Sequence, residues 1–316
     1  MRSTAEIRPL LSQTASEYAT DLPGQFMGLD ILPVDMEDSK KGTFSRLVIE
    51  NVTNGTGDGR RAPGAGYERT DSTFEETEYT TKEYGLEETL DDSEAERYKV
   101  YLDAEREISE TLTFKVRRLQ EKRIAAKVFN ATTFSGYTGN VGTEWSTAST
   151  ANPYNDIQDT VLTLKQQMGG ALGTSQLNLA VSEKVFRNIM KTTAIQGKIR
   201  GGDGSSLDKD STLHMIGAAR LADILGIDNV FFSPAQDAGA DIWDDEYALL
   251  YFASSSPNLR EVQIGRSFMW NEAGNPYTVE TYREEAIRGE VIRCRQHSDE
   301  QVFTPMAGYL LANITT

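Results

Sequence analysis

An α+β fold is predicted for this chain of 316 residues, and three observations predict it. Segments with the two-residue alternation of strands lie among segments with the 3.6-residue period of helices, without a regular strand–helix–strand repeat. One amphipathic stripe, from about Glu96 to Asn130, is much longer than the others. The apolar content is uneven: it is 38% overall, against roughly 45–50% with Gly in an average globular domain, and the shortfall falls before residue 100. This points to arms and loops in the first third and packed structure beyond it.

Residues 1–59 are poorly periodic. Phe26 to Val34 and Phe44 to Ile49 are short apolar pieces between Pro and Gly breaks, and Asn54–Gly59 closes the segment as a loop, so the stretch is expected to be an extended arm. A flexible piece, Arg60 to Gly66, then opens a strongly acidic one. Twelve acids and two bases lie between Glu68 and Glu96. Within it Thr73 to Tyr79 and Thr80 to Tyr84 favour strands, predicting a two-stranded hairpin over 60–98. It has too few large apolar side chains to build a core and must fold against something else; a second copy of the chain is the expected partner.

In the long stripe Tyr101, Ile108, Leu112, Val116 and Leu119 recur at spacings of three, four or seven. Acids lead (Asp103, Glu105, Glu107, Glu110) and bases follow (Lys115, Arg117, Arg118, Lys122, Arg123, Lys127), the order a helix macrodipole favours. About 28 residues of helix would span about 42 Å. After turns from Gly136 to Thr150, Asn152-Pro153 starts a helix as N-cap and first residue, and Gly169-Gly170 stops it. Leu177–Val181 is predicted as a strand, Ser182 as the cap of the next helix, Gly201–Ser206 as a loop and Thr212–Leu225 as a helix. Val230–Phe232 and Tyr247–Ala253 follow as strands. Tyr277–Glu284, Ile287–Gln296 and Phe303–Ile314 close the chain as strands, interrupted at Gly289, Ser298-Asp299 and Pro305.

No catalytic or metal constellation emerges. His214 and His297 are far apart in sequence and neither sits in a metal-spaced cluster; Cys294, the single cysteine, alternates with Ile292 in a strand and reads as a buried, inert thiol. It forbids an intrachain disulfide, and the chain reads as cytosolic. Gly169–Gly173 ends a helix and lacks the Gly-Lys-Ser/Thr of a phosphate loop. The acidic run lacks calcium-loop spacing, and no cofactor is expected. A net charge of −16 argues against a nucleic-acid-binding module, though not against a protein that surrounds nucleic acid. No apolar run reaches the ~18–20 residues of a membrane span, and Met1 to Glu6 has no signal-peptide pattern.

Several stretches resemble the major capsid proteins of tailed bacteriophages. Arg61-Ala62-Pro63-Gly64, ahead of the acidic segment ending Tyr84-Gly85-Leu86, is similar to the start of that family's extended loop. Asn152-Pro153-Tyr154-Asn155-Asp156-Ile157 resembles the opening of its second helix. Pro257-Asn258-Leu259-Arg260-Glu261, then Gly265 and Phe268-Met269-Trp270, resemble its late axial strands. Arg295-Gln296 and Pro305-Met306-Ala307-Gly308-Tyr309-Leu310-Leu311 resemble its closing strands. The resemblance covers nearly everything beyond residue 59, and encapsulin compartments share the fold. It implies an arm (1–59), an extended loop (60–98), a peripheral domain with a spine helix (99–172), an axial domain (173–286) and closing strands of the peripheral domain (287–316).

It also implies a non-enzymatic subunit that assembles into pentamers and hexamers of an icosahedral shell around double-stranded DNA, in a virion capsid built in the host cytoplasm. With only about sixty residues ahead of the loop, scaffolding is expected to be separate or dispensable; portal and decoration proteins are possible partners, and a membrane is not. No motif fixes the residues of the family's lysine–asparagine crosslink, so none is carried over. An encapsulin-like compartment and, from another class, a soluble α/β enzyme with Gly201–Ser206 as a lid stay open as alternatives. Inter-subunit contacts are expected from Glu75, Glu76, Glu78 and Glu83 of the acidic segment and from Arg117 and Arg118 of the helix, whose bases otherwise balance acids of the same chain.

Overall fold

The charge-graded stripe folds as one helix, Ala104–Val128, in a computed structural model that describes residues 5–20, 25–48, 58, 60, 61, 63–67, 69, 74–98, 103–169, 175–200, 213–254, 256, 261–272 and 275–315. Asp103 caps it by accepting from the Arg106 N–H, and at 25 residues it is about 38 Å long. Its apolar stripe serves two cores. Leu112 and Val116 pack with Met269, Val279, Ile292 and Cys294, whereas Ile124, Ala125 and Val128 belong to the larger core with Trp145, Ile157, Leu179, Leu250 and Leu310. A single rigid rod thereby joins both halves of the protein.

Strands in chain order are β1 (Glu6–Ile7), β2 (Val34–Glu37), β3 (Lys41–Leu47), β4 (Phe74–Thr80), β5 (Lys82–Asp91), β6 (Thr138–Asn140), β7 (Gln176–Ser182), β8 (Asn229–Ser233), β9 (Gln236–Asp237), β10 (Ala240–Asp241), β11 (Ala248–Ala253), β12 (Gly265–Trp270), β13 (Thr278–Glu284), β14 (Gly289–Val302) and β15 (Gly308–Ala312). A six-stranded sheet runs β1-β13-β14-β12-β2, with β5 on β14. The second, of order β6-β15-β11-β7-β8, has five strands. β11 is buried along its whole length and β7 at every residue but Gln176, as the unbroken apolar runs Leu179–Val181 and Ala248–Ala253 require. Two further pairs, β3-β4 and β9-β10, stand outside the sheets.

The helix at Pro153–Gln167 starts as read, with Asn152 accepting from the Asn155 N–H, and Gly169 past its end takes the left-handed φ of 54° that favours glycine. Ser182 caps Glu183–Lys191 by accepting from Val185 N–H at 3.2 Å. The helix Leu213–Leu225 leads into β8. The expected features at Gly170–Gly173, Gly201–Ser206 and Pro257–Arg260, the side chain of His214 and most of the loop Asn54–Gly59 lie outside the described residues.

Three expectations need correction. Strands β4 and β5 do not form a hairpin with each other. β4 pairs with β3, from Lys41↔Thr80 to Leu47↔Phe74, and β5 pairs with β14, from Asp91↔Gly289 to Lys82↔Ser298. The partner of the second half of the acidic segment is thus this chain itself. The first 59 residues are not simply an extended arm: Pro9–Thr20 is helical, and Met27, Ile31 and Leu32 enter the main core. Nor do Ser298-Asp299 interrupt β14, because Ser298 and Asp299 pair with Met269 and Phe268 on one side and Ser298 pairs with Lys82 on the other.

Candidate assembly surface

The β3–β4 ribbon leaves the body with one face apolar and the other acidic. Alternation places Phe44 and Tyr79 on one face, where they meet Phe268 of β12 and Phe303. Phe44 lies 4.8 Å from Phe268 and 5.2 Å from Phe303, and Tyr79 stacks on Phe268 at 4.9 Å. Gly42, paired with Tyr79, has no side chain because the ring occupies that space: a Cβ there would stand 2.6 Å from ring atoms. The Tyr79 hydroxyl donates to Glu37 Oε2 at 3.0 Å. Four aromatic rings, some 150–250 Å² of surface each, are what fix the ribbon to the sheet.

The expected contact residues divide between the two faces. Glu76 and Glu78 are exposed on the outward face, and among the described residues neither makes an ion pair. Glu75 is paired with Arg46, which also donates to the Phe303 carbonyl. Glu83 is exposed but stands 3.7 Å from Arg295 and 3.8 Å from His297. Arg118 lies 3.5 Å from Asp237, whose carboxyl is held below its usual pKa by a hydrogen bond from Lys122 and the charges of Lys122 and Arg118.

Arg117 is the exception: it is turned inward. Its guanidinium is buried 3.8 Å from Glu121, donates to Gln120 Oε1 at 3.3 Å and lies over the Phe26 ring at 5.5 Å. It is spent inside the subunit and is not part of an outer surface.

Behind the acidic strand β5 is its basic complement. Arg293, Arg295 and His297 alternate along one face of β14, opposite Glu87, Gly85 and Glu83. Arg293 bonds Glu87 at 2.9 Å, while Arg295 bonds Glu280 at 2.6 Å and Glu272 at 2.8 Å. Burial holds the His297 pKa below its usual value, so the ring is neutral at neutral pH. On the other face of β14 Cys294 is sealed against Thr113, and burial pushes its thiol up to about 11. It is inert as a nucleophile.

The sequence reading missed the role of Glu121. Fully buried, it accepts from the N–H groups of Met27 and Gly28 at 2.8 and 2.9 Å and from the Trp243 indole at 2.8 Å. Burial pushes its pKa up, against the pull of Arg117 and the three donors. Every polar neighbour donates, so the carboxylate is the form that fits. One side chain of the long helix thereby ties down the N-terminal segment and the Trp243 loop. A signal existed in the sequence: Glu121 is the sole acid among six bases from Lys115 to Lys127.

Among the described residues no group of three or more metal-ligating side chains forms, and no helix is long and apolar enough to cross a membrane. A cleft of about 770 Å³ is lined by Phe26, Val34, Met36, Phe231, Phe232 and Tyr277 among others and carries no catalytic grouping among the described residues.

No protein-family model and no curated protein matches the sequence. Solved structures do match the fold. A phage-related protein of Bordetella bronchiseptica RB50 superposes with a TM-score of 0.71 over 98% of both chains at 15% identity. The chain has the phage-capsid fold. The capsid of cyanophage P-SCSP1u shares it, at a TM-score of 0.58 and 12% identity over 92% of this chain and 88% of the other. So does the SrpI encapsulin of Synechococcus elongatus, at 0.52 and 11% over 90% and 86%. At such identities the likeness is one of fold.

Proposed function

We propose that the chain is the structural subunit of a closed protein shell, the major capsid protein of a tailed phage. The observation that carries this is superposition with phage-capsid-fold structures over nearly the full chain. The ribbon supports it independently, because Glu76 and Glu78 are exposed on its outward face and make no ion pair among the described residues. Copies assemble as pentamers and hexamers of an icosahedral shell, with heterologous contacts closing into rings. Glu76 and Glu78 on the outward ribbon face reach a neighbouring copy. The net charge of −16 keeps packaged double-stranded DNA from adhering to the wall, without sequence-specific contacts. Assembly takes place in the host cytoplasm, with portal and decoration proteins as further partners of the shell. No catalysis and no cofactor are required.

Negative-stain microscopy of the purified protein tests the reading: closed particles are expected, and a monodisperse monomer at assembly concentrations refutes it. Glu76→Lys with Glu78→Lys is expected to lower particle yield, and wild-type yield removes these two residues from the interface. An encapsulin-like compartment is the second reading, favoured by the likeness to the Synechococcus shell. Nucleic acid inside particles made in their natural host supports the phage reading, and an enzyme cargo supports the other.

A further inference from the structure

Strands β4 and β5 form one line broken only at Thr81, and β3 occupies one edge of that line for half its length. Hydrogen bonds show which way each backbone group points. The Thr80 N–H and the Glu78 carbonyl turn toward β14, meeting the Asp299 carboxylate and the Gln301 side-chain amide at 3.0 Å each. The Thr81 N–H turns the other way, to the Lys40 carbonyl at 2.9 Å. Past the end of β5 the Asp92 N–H again turns to the β14 side, donating to Arg288 at 3.1 Å. With a period of two, Glu83, Gly85, Glu87 and Thr89 must point their N–H and C=O groups away from β14. All four residues are exposed, and among the described residues no backbone group meets them. Among the described residues the sheet has an empty strand position here, in line with β3.

The outer edge of β3 is open in the same sense. The alternation that turns Thr77 toward Phe44 leaves Lys41, Thr43 and Ser45 facing away from β4, where no backbone group meets them among the described residues and the Lys41 carbonyl accepts from the Ser39 hydroxyl at 2.8 Å. We propose that β3 of a second copy fills the position beside β5, making one sheet continuous across two subunits; this rests on the shell reading above. The two edges match in length, since β3 has 7 residues and the open groups run from Glu83 to Thr89. They match in charge as well: Lys40 to Leu47 carries Lys40, Lys41 and Arg46 and no acid, whereas Lys82 to Asp91 carries Glu83, Glu87, Glu88 and Asp91 against Lys82. Because one chain owns both edges, a two-fold pairing fills both positions at once. An edge left open would template uncontrolled pairing.

Backbone hydrogen exchange of the wild-type subunit, compared before and after assembly, tests this directly. The amides of Glu83, Gly85, Glu87 and Thr89, and those of Lys41, Thr43 and Ser45, are expected to slow at least about tenfold in particles. A companion variant, Thr89→Pro, removes one outward N–H at an exposed edge that tolerates proline, and is expected to fold as the wild type does while losing most of its particle yield. Particles in which both edges exchange as fast as in the free subunit overturn the pairing and leave the shell reading standing, as does wild-type yield from folded Thr89→Pro. Absence of particles from the wild type overturns both. Should Thr89→Pro fail to fold, the wild-type exchange comparison decides alone.

Discussion

Replacing Glu121 by glutamine changes no volume but takes away a charge that every neighbour needs. The carboxylate serves the Met27 and Gly28 amides and the Trp243 indole, and faces Arg117 at 3.8 Å. Oε1 alone accepts from all three donors, and a glutamine oxygen can keep that place, so the NH2 must replace Oε2, which accepts from the Gly28 amide at 3.0 Å. That NH2 then meets the Gly28 N–H, itself a donor, and Arg117 loses its ion-pair partner. Breaking a buried pair from one side costs about 3–5 kcal/mol. A chain of 316 residues unfolds with an entropy of about 0.7 kcal/mol/K, so the melting temperature should fall by about 4–8 °C. Calorimetry on the unassembled subunit at pH 7 reads this. A melting temperature within about 1 °C of wild type, too small for any of these terms, would refute the argument that the charge of this carboxylate is needed here.

Other expectations are as direct. Glu300, buried against Arg123 and Ser298, has a pKa below 4.5: burial raises it, but the hydrogen bonds and charge of Arg123 outweigh that. Its stabilising contribution is complete above pH 4.5 and lost as pH falls through the lower folded value. Glu300→Gln should therefore be less stable than wild type at neutral pH, by about 1–3 kcal/mol in urea titrations, with the gap closing under acid; a gap independent of pH contradicts this. Phe268→Ala removes the ring on which Phe44 and Tyr79 rest. It should cost about 3–5 kcal/mol and speed proteolytic cleavage between β3 and β4 before the body is cut. Cleavage at wild-type rate would mean that the aromatic cluster does not hold the ribbon.

The long helix was legible because its evidence is local: an apolar period and a charge gradient that both lie inside Ala104–Val128. The helix caps at Asn152 and Ser182 were legible for the same reason. Strand pairing is not local. Whether Lys82–Asp91 returns along Phe74–Thr80 or docks on Gly289–Val302 depends on a partner some two hundred residues away, and the one clue was the alternation of Arg293, Arg295 and His297. The helix Pro9–Thr20 was hidden because Ser and Thr fill much of it and its fully buried side chains are small, Ser12 and Ala15. Of the candidate site, the exposed acids could be read directly. The inward turn of Arg117 could not, since burial follows from the packing of Phe26 and Met27 on the helix and not from the helix itself.

The line formed by β4 and β5 has a mechanical meaning. A pull on the far end of the ribbon passes along one covalent strand into the body, where β5 lies antiparallel to β14 from Lys82 to Asp91. The load then acts along the strands, so the whole ladder resists together in shear and its hydrogen bonds are not peeled one after another. Had β5 been the return strand of a free hairpin, the same force would have unzipped the ribbon from its tip. In the shell proposed above, tension between neighbours would be delivered to the sheet in the direction in which that sheet is strongest.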